Sequence, residues 1–270
     1  MPKTLAHLSD LHLGRSAGTE RTTRRLCDQL LQAEVDHVVV TGDITHRGRR
    51  ADLERFFDIF DAFERTRRLT VIPGNHDRNG EGAGSDLMQG RRVATVVRPG
   101  LHLVLVDSTA DHNRSVIACH GELLASMLEE IDLALLAAAP GALVAICVHH
   151  HLLPLPLETL GEWFADSVGW PNAEELARGR ELVERVRGRC DLVLHGHRHV
   201  PTEFRFFDGE ARPVTIYNAG SSSELARARV FTHDDGRLAA PPAWLGAQAP
   251  APPVARPRAS ILFPAASWRV

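Results

Sequence analysis

The stretch Leu69-Thr-Val-Ile-Pro-Gly-Asn-His-Asp77 sets a short apolar, β-branched run directly against glycine, asparagine, histidine and aspartate. Such a run reads as a buried strand, and the polar cluster then falls just past its carboxyl end. The same pattern recurs on both sides. Residues 4–8 lead into Ser9-Asp10-Leu11-His12, residues 37–41 into Gly42-Asp43, and residues 143–148 into His149-His150-His151. Residues 192–195 lead into His195-Gly196-His197-Arg198-His199. In an open α/β sheet the carboxyl ends of the strands form the usual site edge, so five distant segments are expected to converge there.

Further strands are expected at residues 101–106, 214–218 and 228–232, and helices at 20–33, 51–67, 122–138 and 173–187. Strands alternating with helices predict α/β layering. The last helix opens on Asn172-Ala-Glu-Glu175, where asparagine can cap free amide donors. In the second, Leu53, Phe56, Phe57, Phe60 and Phe63 form one apolar stripe that marks a core face. Residues 239–257 shift to alanine and proline, which predicts a linker or wrapped tail that continues neither sheet nor helix. The expected organisation is a catalytic domain over 1–238 and a Pro/Ala-rich tail over 239–270.

Composition narrows the chemistry. The 270 residues carry 31 basic and 34 acidic side chains for a net charge of -3, and Lys3 is the only lysine. Mechanisms that need a P-loop or Schiff-base lysine are excluded. The four cysteines form no C-x-x-C pair, so neither a zinc knuckle nor a disulfide framework is expected. The net charge gives no drive toward nucleic acid or an anionic membrane. The longest apolar stretch, 131–148, is interrupted by Asp132, Pro140 and Gly141, so no membrane span is expected. The N-terminus lacks a charged region followed by an apolar one, and a cytoplasmic protein is the expectation.

Of the fifteen histidines, five, His12, His76, His149, His197 and His199, fall in the strand-end clusters as candidates for metal binding or proton transfer. Residues two apart on an extended segment point the same way, so Asp10 with His12, and His197 with His199, can grip one locus as pairs. Carboxylate, imidazole and amide oxygen without thiolate suit Mn, Fe, Zn or Co and not copper(I) or an iron-sulfur cluster.

Together, Asp10-x-His12, Gly42-Asp43, Gly74-Asn75-His76-Asp77, His149-His150 and Gly196-His197-x-His199 resemble the five ordered motifs of the calcineurin-like metallophosphoesterases. The resemblance runs over roughly residues 3–235. It implies an α/β, two-sheet sandwich flanked by helices, with a dinuclear metal site at the strand C-terminal ends. By the same resemblance, Asp10, His12 and His199 hold one metal ion, Asn75, His149 and His197 the other, and Asp43 bridges both. The implied cofactors are two divalent or mixed-valence ions. The implied reaction is hydrolysis of a phosphoric ester by metal-held hydroxide, with His76 as donor to the phosphate or the leaving oxygen and Asp77 orienting His76.

His46, in Gly42-Asp-Ile-Thr-His46-Arg-Gly48, stands where Ser/Thr phosphatases carry aspartate, and His76-Asp77 replaces their His-Glu. Both departures argue against a protein phosphatase. The expected substrate is a small-molecule phosphodiester such as a cyclic nucleotide or glycerophosphodiester. Loops 78–92 and 154–171, the latter with Trp163, Phe164 and Trp170, are the expected specificity elements. The alternatives are a DNA exonuclease of the bacterial repair type, which wants a basic groove, and a non-catalytic scaffold, which should have lost His76 or several ligands. His150 is read either as a substrate contact or as packing behind the ligands, while His151, His195 and the Asn218-Ala-Gly-Ser221 turn are read as structural. No oligomeric state is assigned.

Overall fold

The computed structural model describes residues 1–114, 119–153 and 175–246. In one six-stranded sheet β1 (Lys3–Leu8), β2 (His37–Thr41) and β3 (Leu69–Ile72) run parallel. The second sheet has the order β4-β5-β6-β7-β9-β8, formed by β4 (Val93–Arg98), β5 (Leu101–Val106), β6 (Leu143–Val148), β7 (Leu192–His195), β8 (Thr202–Phe206) and β9 (Val214–Asn218). Its four inner strands are parallel and its two edge strands antiparallel. β10 (Arg227–Asp234) returns antiparallel to β1 and carries β11 (Arg237–Leu238) and β12 (Ala243–Gly246). The sheets pack face to face, and helices cover their outer sides.

Strand parity sorts the residues into layers. Leu5 and Val39 meet Leu103, Ala145 and Leu194 between the sheets, while Ala6, Leu8, Val38 and Val40 face outward. The outward set packs against Leu26 and Leu30 of α1 (Ala17–Gln32) and Phe56, Phe60 and Phe63 of α2 (Arg50–Arg65). Both faces of β2 are therefore covered, which is why its sequence reads His-Val-Val-Val-Thr without alternation. On the other side Val104, Ile146 and Val193 pack against Leu128 and Ile131 of α3 (Ala125–Leu136) and Leu182 of α4 (Gly179–Arg185). α1 begins at a capping box in which Ser16 Oγ accepts from the Thr19 amide and Thr19 Oγ1 from the Ser16 amide, both at 3.2 Å.

Three expectations change. β4 and β8 are additional strands, both edge strands whose burial alternates along the chain. Residues 243–246 do join a sheet: β12 pairs with β10 from Arg227 to Val230 and lays Trp244 over the Arg229 guanidinium, 4.5 Å from the ring centre. An outer edge has only one strand to satisfy, so flanking prolines do not prevent it. The fourth helix runs over Gly179–Arg185 among the described residues. The Asn172 cap, the aromatic loop 154–171 and the tail beyond residue 246 lie outside them. Among the described residues no helix is long and apolar enough to cross a membrane.

Candidate metal centre

β1, β2, β3, β6 and β7 end on the same edge of the sandwich, and the chain beyond each supplies the side chains of interest. Glycine lets these ends close together. A Cβ on Gly74 would occupy the space of the Asp43 carboxylate and amide, and one on Gly42 would lie 2.6 Å from His149 Nδ1. Asp10, His12, Asp43 and His197 take φ values of 54°, 50°, 51° and 70°, in the left-handed region that side chains disfavour. Each such residue costs about 1–3 kcal/mol, and four of them at one edge mark a place where side-chain direction outweighs local stability.

The seven residues expected to bind metal do come together. His12 Nε2 lies 3.2 Å from His199 Nε2 and 3.9 Å from both Asp10 Oδ1 and Asp43 Oδ2. His199 Nε2 is 3.6 Å from Asp10 Oδ1. On the other side, Asn75 Oδ1 is 3.0 Å from both His149 Nε2 and His197 Nδ1, and His149 Nε2 is 3.4 Å from Asp43 Oδ1. Asp43 thus turns one oxygen to each group. Asp10, His12 and His199 hold their donor atoms within 4.8 Å of one another, as do Asp10, Asp43 and His149.

Charge and burial fit cations at this locus. Asp10 Oδ1 is buried without a hydrogen-bond partner, an arrangement that is costly unless a positive group meets it. Burial pushes the Asp10 carboxyl up to about 6, and the neighbouring Asp43 adds to the shift. Burial also opposes charge on Asp43, but His149 and His76 hold its carboxyl well below the usual range. Burial opposes charge on His149, yet Asp43 beside it raises its pKa to about 9. His12 and His197 are driven well below 6.5, chiefly by burial, and so present neutral imidazoles, the form that ligates metal.

Neighbouring groups set the ring directions. The Thr41 carbonyl accepts from His149 Nδ1 at 2.7 Å, which turns Nε2 into the site. The amide of His197 donates to Asp10 Oδ2 at 3.0 Å, and that of His76 to Asp43 Oδ1 at 2.8 Å. Ser221 and Ser223 donate to the Asp10 carbonyl at 2.9 and 3.2 Å, and Asn218 to the Arg198 carbonyl at 2.8 Å. The Asn218–Ser221 turn is structural, as expected: it ties β1 to the His197–His199 loop.

One expected role changes. Asp77 is fully buried, and its carboxylate accepts from the amides of Gly74, Ile44 and Thr45 and from the Thr45 hydroxyl, at 2.8–3.2 Å. It clasps the turns after β2 and β3. The His46 carbonyl instead orients His76, accepting from Nδ1 at 2.9 Å. His150 is buried against His149, with Nδ1 2.7 Å from Ser108 Oγ. Sequence reading missed Ser108, the carbonyls of Thr41 and His46, and Glu224, whose Oε2 sits 3.6 Å from His199 Nδ1. A backbone carbonyl leaves no mark in residue identity, and Glu224 lies outside the five strand-end motifs.

The sequence matches the calcineurin-like phosphoesterase family model over residues 3–201, and the chain belongs to that family. Comparison with curated protein sequences gives no match. Among solved structures, a dimetal phosphatase from Danio rerio is similar with a TM-score of 0.59 at 14% identity, over 90% of this chain and 98% of that one. A purple acid phosphatase from yellow lupin (Lupinus luteus) seeds is similar with a TM-score of 0.61 at 11% identity, over 87% of this chain and 50% of that one. At these identities the likeness is one of fold. The family depends on two metal ions, and the His/Asp clusters described above suit them.

Proposed function

We propose that the chain is a dinuclear-metal phosphodiesterase acting in the cytoplasm on a small-molecule diester such as a cyclic nucleotide or glycerophosphodiester. The observation that carries this reading is the division of donor atoms around Asp43. Asp10, His12 and His199 would hold one ion, and Asn75, His149 and His197 the other, with one Asp43 oxygen toward each. The donor set suits Mn, Fe, Zn or Co. Bound there, two such ions supply Lewis acidity toward the phosphoryl oxygens and make water acidic near neutral pH.

The chain's own residues do the remaining work. His76 donates through Nδ1 to the His46 carbonyl, so its Nε2, 4.0 Å from Asp43 Oδ2, faces the same locus. Burial works against a charged His76, but the Asp43 carboxylate and the His46 carbonyl raise its pKa above 6.5. An Nε2 proton is then available to a phosphoryl oxygen or the leaving alkoxide. Two arginines beside the site are committed elsewhere, Arg15 to Glu224 and Arg78 to Asp107. The preference for a diester over a monoester rests on the resemblance of the motifs.

The test is an assay of protein stripped and reloaded with Mn, Zn, Fe, Co or Mg, on a chromogenic diester, its monoester counterpart, cyclic nucleotides and single-stranded DNA. Metal-dependent cleavage with the diester preferred supports the reading. Preference for the monoester or for DNA would replace the substrate class, and metal-independent activity would remove the mechanism.

A further inference from the structure

A cavity of about 380 Å³ opens at the opposite end of the sandwich. It is lined by the starts of β1 and β2, the turn between α2 and β3, and the turn between β4 and β5. The six- and five-residue strands β1 and β2 separate it from Asp10 and Asp43, roughly 17–20 Å. Four cations line it, Lys3, Arg67, Arg68 and Arg98, against the single carboxylate of Asp36, in a chain whose net charge is -3. Asp36 is already engaged by Lys3 Nζ at 2.9 Å and by the amide and hydroxyl of Thr4.

The guanidinium groups are held by neutral acceptors. Arg98 donates to the Arg67 carbonyl at 3.1 and 2.9 Å, and Arg68 to the Val35 carbonyl at 3.0 Å and Thr66 Oγ1 at 2.9 Å. Such acceptors fix the direction of a guanidinium without neutralising it. The Arg67 side chain has no carboxylate partner among the described residues. His37 lines the same cavity at 3% exposure, with Nε2 2.8 Å from Thr70 Oγ1 and Nδ1 buried without a partner. Burial, reinforced by Arg98 and Arg68, lowers the His37 pKa to about 4, as a local excess of positive charge should. Pro99 and Leu101 add apolar wall. A larger cavity of about 870 Å³ beside β7 and β11 lacks this imbalance, because its Arg212 pairs with Asp191 and its Arg205 with Asp208.

We propose that the smaller cavity binds a small organic dianion, a phosphate monoester or a dicarboxylate, at a site separate from the metal centre. The anionic end meets pre-oriented guanidinium donors, and the organic body lies on Pro99 and Leu101.

Calorimetric titration of the metal-loaded full chain with AMP and with succinate tests this, using wild type, Arg67→Asn, Arg68→Gln and Asp43→Asn. Arg67→Asn suits the left-handed φ of 55° at that position and removes no internal contact. The expected result is saturable binding of at least one probe in wild type and in Asp43→Asn, weakened about tenfold or more in both arginine variants. Diester hydrolysis in both variants, and the melting temperature of Arg67→Asn, should match wild type. The better-binding probe identifies the head group. Absence of saturable binding by either probe, or binding lost in Asp43→Asn and kept in Arg67→Asn, overturns the proposal. Because Asp43→Asn is read separately, failure here leaves the phosphoesterase reading standing, and the reverse.

Discussion

Asp43 Oδ2 and His76 Nε2 stand 4.0 Å apart, but their proposed duties differ, and substitution should separate them. Asp43→Asn withdraws the one carboxylate both donor groups share, so metal content and activity are expected to fall together, activity by about 10³-fold or more. His76→Ala removes a proton donor, so activity should fall about 10²–10⁴-fold while metal content stays at the wild-type value. Metal analysis beside steady-state kinetics distinguishes the two, and loss of metal in His76→Ala would contradict the assignment. Glu224→Gln weakens the carboxylate behind His199 and is expected to reduce metal affinity about 10–100-fold with the fold intact. At this scale the sequence was highly legible where side chains meet at the site. It was opaque where a carbonyl does the orienting: His46 was singled out for its side chain, while its backbone oxygen is what holds His76.

At the scale of elements, legibility followed burial. All eight strands expected from apolar runs are present, because each is covered on at least one face and its hydrophobicity shows. β4 and β8 were missed because an edge strand exposes every second residue, so Thr95 and Glu203 dilute the signal. β12 was hidden by the surrounding prolines. Its contribution can be measured, since Trp244 and Tyr217 flank the buried Arg229 guanidinium with ring centres 4.5 and 4.9 Å away. Burial opposes charge on Arg229, and the two ring faces together with Glu203 offset that desolvation. Trp244→Ala should lower the unfolding free energy by about 1–2 kcal/mol in urea denaturation and leave metal binding unchanged. An unchanged midpoint would mean that β12 adds nothing to the body.

Across the whole molecule, the sandwich places a carboxylate and imidazole edge at one end of the parallel strands and a guanidinium-rich edge at the other. That polarity bears on pH stability. His37 has a pKa of about 4 in the fold, from burial first and Arg98 and Arg68 next, against 6.5 unfolded. The unfolded chain therefore binds the proton more readily. The stabilisation from neutral His37 is fully present above pH 6.5 and lost as pH falls toward 4, by about 3 kcal/mol. Denaturation of wild type and His37→Asn over that window should show a flatter profile in the variant, and parallel profiles would refute it. The central claim is that two ions sit on either side of Asp43. It is tested most directly by elemental analysis of the reloaded, gel-filtered chain. The account predicts two ions per chain in wild type and fewer in Asp43→Asn. A single ion in wild type, or two retained without Asp43, would contradict it.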